Sequence, residues 1–264
     1  MNRQTYQTDL TDDQWRVVEL SLPAPSRRGR PREHALREIL NAIFYIVDGG
    51  LKWRSMPHDL PPWQSVYYYF RQWTKSGLWE QLNAALREQV RRKAGRNPEP
   101  SAGALDSQSV KTTEEAAPDT RGYDSGKQIK GRKRHLLVDT LGLVLKAIVL
   151  SASLQDRDGA QTLLDKVRDL FPRLQKIWAD GAYAGPKLGD WVKAKCHWVL
   201  EIVKRSDEVK GFVVLPKRWV VERTFSWLGR NRRLSKDYER LPESSEAVVY
   251  IASIRLMTKR LARP

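Results

Sequence analysis

The sequence predicts a mixed α/β sheet flanked by helices, preceded by an all-helical N-terminal domain. Three observations lead there. Up to Lys93, apolar residues recur at helical spacing. From Ala104 the pattern changes to short apolar runs of strand length, the first of which form a hairpin. The later runs alternate with helical segments, the order expected of a sheet that takes its last strands through helical crossovers. The Pro- and Gly-bearing stretch 95–103 is the junction, which puts a helical domain at 1–96 and an α/β domain at 97–264.

In the first part, Thr11 can cap a helix, with Gln14 reaching back and Leu10 stapling against Trp15. That helix ends by Pro23. The loop that follows carries Arg28, Arg30 and Arg32 around Gly29 and Pro31. Such a segment resembles an AT-hook, in which extended Gly-Arg-Pro chain lays arginines in a narrow minor groove; the plainer alternative is a charged linker. Leu36, Ile39, Leu40, Ile43, Phe44 and Val47 mark a second helix, stopped by Gly49 and Gly50. Trp63, Val66, Phe70 and Trp73 mark a third, ended near Gly77. Leu82, Leu86 and Val90 give a fourth over 78–93. Helices joined by short turns are compatible with a DNA-reading unit.

In the second part, 104–111 reads as a strand with Asp106 inside it, a residue type depleted in strands. Residues 112–125 read as a polar loop. A basic run (Lys127, Lys130, Arg132, Lys133, Arg134) leads into a hairpin of strands 135–140 and 143–150 across Leu141 and Gly142. A helix over 158–171, a strand over 176–180 ending on Asp180, a helix over 186–195 and a strand over 197–203 follow. Residues 211–215 form a short apolar stretch. A helix over 219–234 carries Glu222, with Val221, Phe225 and Leu228 facing inward. The last helix covers 246–261.

The balance of charge is basic: 264 residues carry 47 Lys+Arg against 31 Asp+Glu, a net charge of +16. That calls for a polyanionic partner, most simply nucleic acid. Ten Trp and nine Tyr argue for a packed fold over a chain that merely coats anionic surfaces. One cysteine, Cys196, excludes an internal disulfide and a multi-cysteine zinc site; it reads as a buried core thiol. No signal peptide and no membrane-spanning run is legible, so a cytoplasmic protein is expected.

Three carboxylates stand out. Asp106 lies on the first strand, Asp180 at the end of the fourth, and Glu222 on a helix that can pack over both. Oxygen-only ligands select hard cations such as Mg²⁺ or Mn²⁺. Grouped carboxylates repel unless a cation relieves them, and a pair of such ions suits phosphodiester chemistry. Arginines on the Glu222 helix and just beyond it (Arg218, Arg223, Arg230, Arg233) would hold the DNA backbone. Each carboxylate also has a bland reading: an edge-strand aspartate, a turn aspartate before Gly181, and a helix-surface glutamate paired with Arg218.

Four motifs carry a resemblance: LDSQSVK at 105–111, GRKRHLLVD at 131–139, WADGAY at 178–183 and VERTFSWLGR at 221–230. With them the chain resembles the DDE transposases of bacterial insertion sequences, most closely insertion-sequence family five. The resemblance covers nearly the whole chain, including LTDDQW at 10–15 and WRSMP at 53–57. It implies a ribonuclease H-like catalytic domain with Asp106, Asp180 and Glu222 as catalytic and metal-binding triad, using Mg²⁺ or Mn²⁺ as two ions. It implies double-stranded DNA, element ends and target, as partner, and a homodimer to join two ends. A related signature around the glutamate expects an arginine at 218, a tyrosine at 215 and a lysine at 229. Arg218 fits; Leu215 and Gly229 depart, and Arg230 is the neighbouring candidate for the lysine's DNA contact. The implied reaction is strand cleavage followed by strand transfer. A Mg²⁺-dependent nuclease or junction resolvase, or a non-catalytic repressor derived from a transposase, are the competing readings.

Overall fold

The structure, a computed structural model, describes residues 3–24, 32–203 and 216–263. The helical part opens with α1 (Asp12–Glu19), whose Thr11 and Gln14 form the expected capping box. It continues with α2 (Leu36–Gly49), α3 (Trp63–Lys75) and α4 (Leu78–Lys93). Gly50 ends α2 in the left-handed region at φ 68°. A Cβ there would meet Arg232, so a close approach adds to the conformational demand for glycine.

The sheet is built from β1 (Ala102–Lys111), β2 (Gly122–Asp124), β3 (Ile129–Asp139), β4 (Val144–Ser151), β5 (Lys176–Ala179) and β6 (Val199–Ile202). β1, β3 and β4 are antiparallel neighbours; β5 and β6 join parallel to β1 on the other side. The spatial path is therefore β4, β3, β1, β5, β6, with β2 pairing the start of β3. The helices are α5 (Asp156–Asp165), α6 (Pro186–Cys196), α7 (Pro216–Gly229) and α8 (Pro242–Leu261). This hairpin-led mixed sheet is the ribonuclease H-like arrangement the resemblance implied.

One face of the sheet packs on α5 and α6 through Leu105, Leu137, Leu163, Leu164, Ile177 and Val192. Buried Cys196 belongs to this core, and burial pushes its thiol up to about 11. The other face shares one continuous core with α8 and the N-terminal helices: Ile43, Leu86, Leu136, Val138, Val248 and Ile254 belong to it together. α8 contacts all four N-terminal helices as well as β4. The junction near 96 is thus a change of secondary structure across a shared core.

Local departures from the sequence reading have simple causes. β2 lies inside the expected polar loop, because pairing with β3 supplies what its composition does not. β3 starts at Ile129, so most of the basic run sits within a strand. α5 ends at Asp165, in a run of turns. α7 stops at Gly229, and Arg232–Leu234 form a separate 3₁₀ turn. Among the described residues, nothing stands within 4 Å of a Cβ built on Gly229, so its glycine answers no close approach to any of them. The stretch 211–215 lies outside the described residues.

Candidate active site

β1 and β5 run parallel, with Ala104 paired to Trp178. Continued by two residues, that register sets Asp106 level with Asp180. Pairing stops there, so the two aspartates flank the point where the strands part. Asp180 is the first residue past β5 and caps the following 3₁₀ turn, accepting the Ala182 N–H at 2.9 Å. Asp106 accepts the N–H of Ser107 at 2.7 Å. α7 packs across β1, β3 and β5 with Val221 and Leu228 buried, which brings Glu222 to the same crevice.

Arg218 and Glu222 are one helical turn apart on α7. The Arg218 Nε lies 2.9 Å from the Glu222 carboxylate, and its Nη2 is 3.8 Å from Asp180. Arg218 therefore bridges the second and third carboxylates. Burial is the main force on Asp106, pushing its carboxyl up to about 6; the charge of Asp180 adds to this. The Ser107 N–H, Lys127 and Arg218 pull the other way. Among the described residues, no three His, Cys, Asp or Glu side chains are arranged to hold a metal ion. The shared cation position expected from sequence is not formed as the side chains stand, and a guanidinium takes the bridging place.

Behind Asp106, on the α5 side of the sheet, lies a polar layer that sequence reasoning missed. The Ser107 hydroxyl contacts Asp156 at 2.6 Å and the Ser109 hydroxyl contacts Asp124 at 2.5 Å. Buried Lys133 joins both acids, at 3.0 Å to Asp156 and 3.4 Å to Asp124, and donates to the Leu154 carbonyl. Tyr183, just past Asp180, is buried nearby, and burial first, then Asp106, pushes its hydroxyl well up. The alternation of Ser107 and Ser109 with Asp106 along one strand is the only sequence signal for this layer.

The residues expected to bind DNA divide sharply. Lys127 and Lys130 are exposed. Arg132, Lys133 and Arg134 are not: they are 0%, 4% and 3% exposed. Arg132 donates to the carbonyls of Glu239 and Arg240, and Arg134 to those of Leu234 and Lys236. These two arginines clamp the segment after α7 onto β3, and burial lowers Arg134 to about 10. Arg233 is likewise buried, paired with Glu239 at 2.7 Å. Burial removes these four from any surface contact with DNA, correcting the expectation. Arg223 donates to the Leu141 carbonyl and lies over the Trp227 ring, which Arg260 also meets. Arg230 is exposed. Arg32 donates to the carbonyls of Pro23 and Ala24, whereas Arg28 and Arg30 lie outside the described residues.

Two carboxylates thus stand at parting parallel strands and a third on the overlying helix, with Arg218 between the second and the third. Residues 97–257 match the family model described as the transposase DDE domain. The chain belongs to the DDE transposase family. Residues 10–83 further match a putative transposase of the IS4/5 family, so the transposase likeness extends through the N-terminal helices. Among curated proteins, the chain is 28% identical over 108 residues to the "Insertion element IS402 uncharacterized 16.2 kDa protein" of Burkholderia cepacia. That match covers 39% of this chain and 72% of the relative. It is 26% identical over 77 residues to "Uncharacterized protein y4sN" of Sinorhizobium fredii, covering 29% of this chain and 62% of that one. No solved structure matches. No helix among the described residues is long and apolar enough to cross a membrane.

Proposed function

We propose that this DDE transposase binds the terminal inverted repeats of an insertion sequence and catalyses strand cleavage and strand transfer at Asp106, Asp180 and Glu222. The observation that carries the reading is the crevice itself: Asp106 is charge-coupled to Asp180, and Arg218 ties Asp180 to Glu222. The all-oxygen chemistry of the three carboxylates suits a hard divalent cation. Bound by these three residues, Mg²⁺ or Mn²⁺, as two ions, would sharpen the attacking oxygen and relieve charge on the leaving oxygen.

The chain's own groups then have distinct tasks. Asp106 and Asp180 are fixed by their backbone N–H contacts, so their positions cost little reorganisation on substrate binding. Arg218 is half-buried and reaches two carboxylates; with the acids relieved, its guanidinium is placed to grip a phosphate. In cleavage, water attacks the phosphodiester and the freed strand end leaves as a 3′-hydroxyl. In transfer, that hydroxyl attacks a target phosphodiester, and one P–O bond replaces another with no covalent protein intermediate. The N-terminal region 1–96 supplies end recognition, and a homodimer holds two ends together.

A strand-transfer assay on a pre-cleaved terminal repeat tests the reading. Joined product is expected with Mg²⁺ or Mn²⁺, and Asp106→Asn should lower its rate by at least about a hundredfold, the scale of removing one electrostatic group from such a site. Cleavage without joining would make the protein a nuclease. A wild-type chain that neither cleaves nor joins DNA, and whose DNA binding all three carboxylate substitutions leave unchanged, would be a binding protein.

A further inference from the structure

Beyond the carboxylate crevice, a second concavity opens at the far end of β1. It is a cleft of about 660 Å³ lined by Lys111, Thr112, Thr113, Arg121, Tyr123 and Lys130, together with Glu114 and Gln128. Three cations against one carboxylate make it net positive. Its volume lies within the range of sites that enclose one small ligand unit. Lys111 and Lys130 are exposed, and the Tyr123 ring is 54% exposed.

The pairing of β2 with β3 explains how the lining is assembled. Tyr123 and Lys130 are direct cross-strand partners, so their side chains rise from one face side by side. Gln128, at φ 54°, turns the hairpin so that its own side chain joins the lining. Lys111 is five residues along β1 from Asp106, about 17 Å of strand at 3.3–3.4 Å per residue.

An exposed aromatic ring flanked by cations is the chemistry that holds unpaired nucleotides: the ring stacks a base and the cations hold the phosphates on either side. A duplex keeps its bases stacked inside and offers such a ring nothing but backbone. We propose that this cleft is a single-strand DNA subsite, in which Tyr123 stacks one unpaired base while Lys111, Lys130 and Arg121 hold the adjoining phosphates. The occupant is an unpaired strand of the DNA engaged at the carboxylate crevice. The inference rests on the transposase reading for the identity of that strand, not for the chemistry of the cleft.

The test uses the full chain without divalent metal, and as probes a fluorescein-labelled single-stranded oligonucleotide and its duplex. Tyr123→Ala should weaken single-strand binding about five- to 150-fold, the span of one base-stacking contact, and leave duplex affinity within about twofold of wild type. Tyr123→Phe should bind the single strand as wild type does. Lys111→Ala and Lys130→Ala should each lower the salt dependence of single-strand binding by slightly less than one unit of slope. An oligonucleotide carrying 5-iodouracil should photocross-link to Tyr123, mapped by mass spectrometry. Equal loss of single-strand and duplex binding on Tyr123→Ala, or no loss of either, overturns the subsite. The two readings fail separately. A wild-type protein that binds the single strand through Tyr123 but never joins DNA sinks the transposase reading alone. One that joins DNA with Tyr123→Ala binding unchanged sinks the subsite alone.

Discussion

Glu246, near the start of α8, holds a half-buried carboxylate whose oxygen accepts the Val149 N–H at 2.9 Å. Burial pushes it up from 4.5 to about 7, against the pull of that N–H and of Lys146. Between those values the folded chain binds a proton that the unfolded chain has lost, so stability falls as pH rises through the window. Glu246→Gln keeps an acceptor for the N–H and removes the titration. Urea unfolding at pH 4.5 and about pH 8 should show the variant gaining on wild type by on the order of 2 kcal/mol at the higher pH. An equal difference at both pH values would mean the carboxylate stays charged. His135 acts with the opposite sign: burial lowers it to about 4, so its contribution is lost as pH falls below 6.5. The same scale explains the fate of the basic run. Lys130 and Arg132 are two residues apart on one face of β3, and the 234–240 segment covers only the second.

α5 crosses β3 at very close range. Gly159 of α5 lies on His135, and a Cβ there would stand 2.1 Å from the imidazole Cε1. His135 is fully buried, and neither ring nitrogen has a hydrogen-bond partner among the described residues. Gly159→Ala should therefore cost about 1–3 kcal/mol in urea unfolding, the range for overpacking a filled core, despite alanine's higher helix propensity. Adding His135→Ala should return part of the loss; no recovery would place the strain elsewhere. Most elements were legible from sequence. Amphipathic spacing marked α2, α3 and α4, and Thr11 with Gln14 marked the start of α1. β2 was not, because a three-residue edge strand owes its form to its partner, not its composition.

At the scale of the whole molecule, the N-terminal helices and the sheet cannot be separated without opening a core. α8, the last element, lies between α4 and β4 and packs on α1, α2 and α3 as well. A buried ion pair between Arg91 of α4 and Asp139 at the end of β3 spans the same junction. A fragment of residues 97–264 would expose the α8 and β4 surfaces that the helices cover and leave Asp139 without its cation. The full chain should unfold in one cooperative transition by circular dichroism and by Trp fluorescence. The fragment should lack a cooperative transition; one that unfolds with the full chain's midpoint would show that the helices add nothing to the core.

The sequence by itself determined the class of fold, the order of its elements, the polyanionic partner implied by +16 charge, and the three carboxylates as the residues to watch. Those follow from periodicity and residue chemistry, which are local. Tertiary structure decided what lies beside what. It set Asp106 level with Asp180 through the β1–β5 register and put Arg218 between Asp180 and Glu222. It also drew Arg132, Lys133, Arg134 and Arg233 inward and gathered Lys111, Arg121 and Tyr123 into a cleft. A charge in a sequence has no inside or outside until strands pair and a distant segment folds over some of them, so accessibility was the property that only packing could assign.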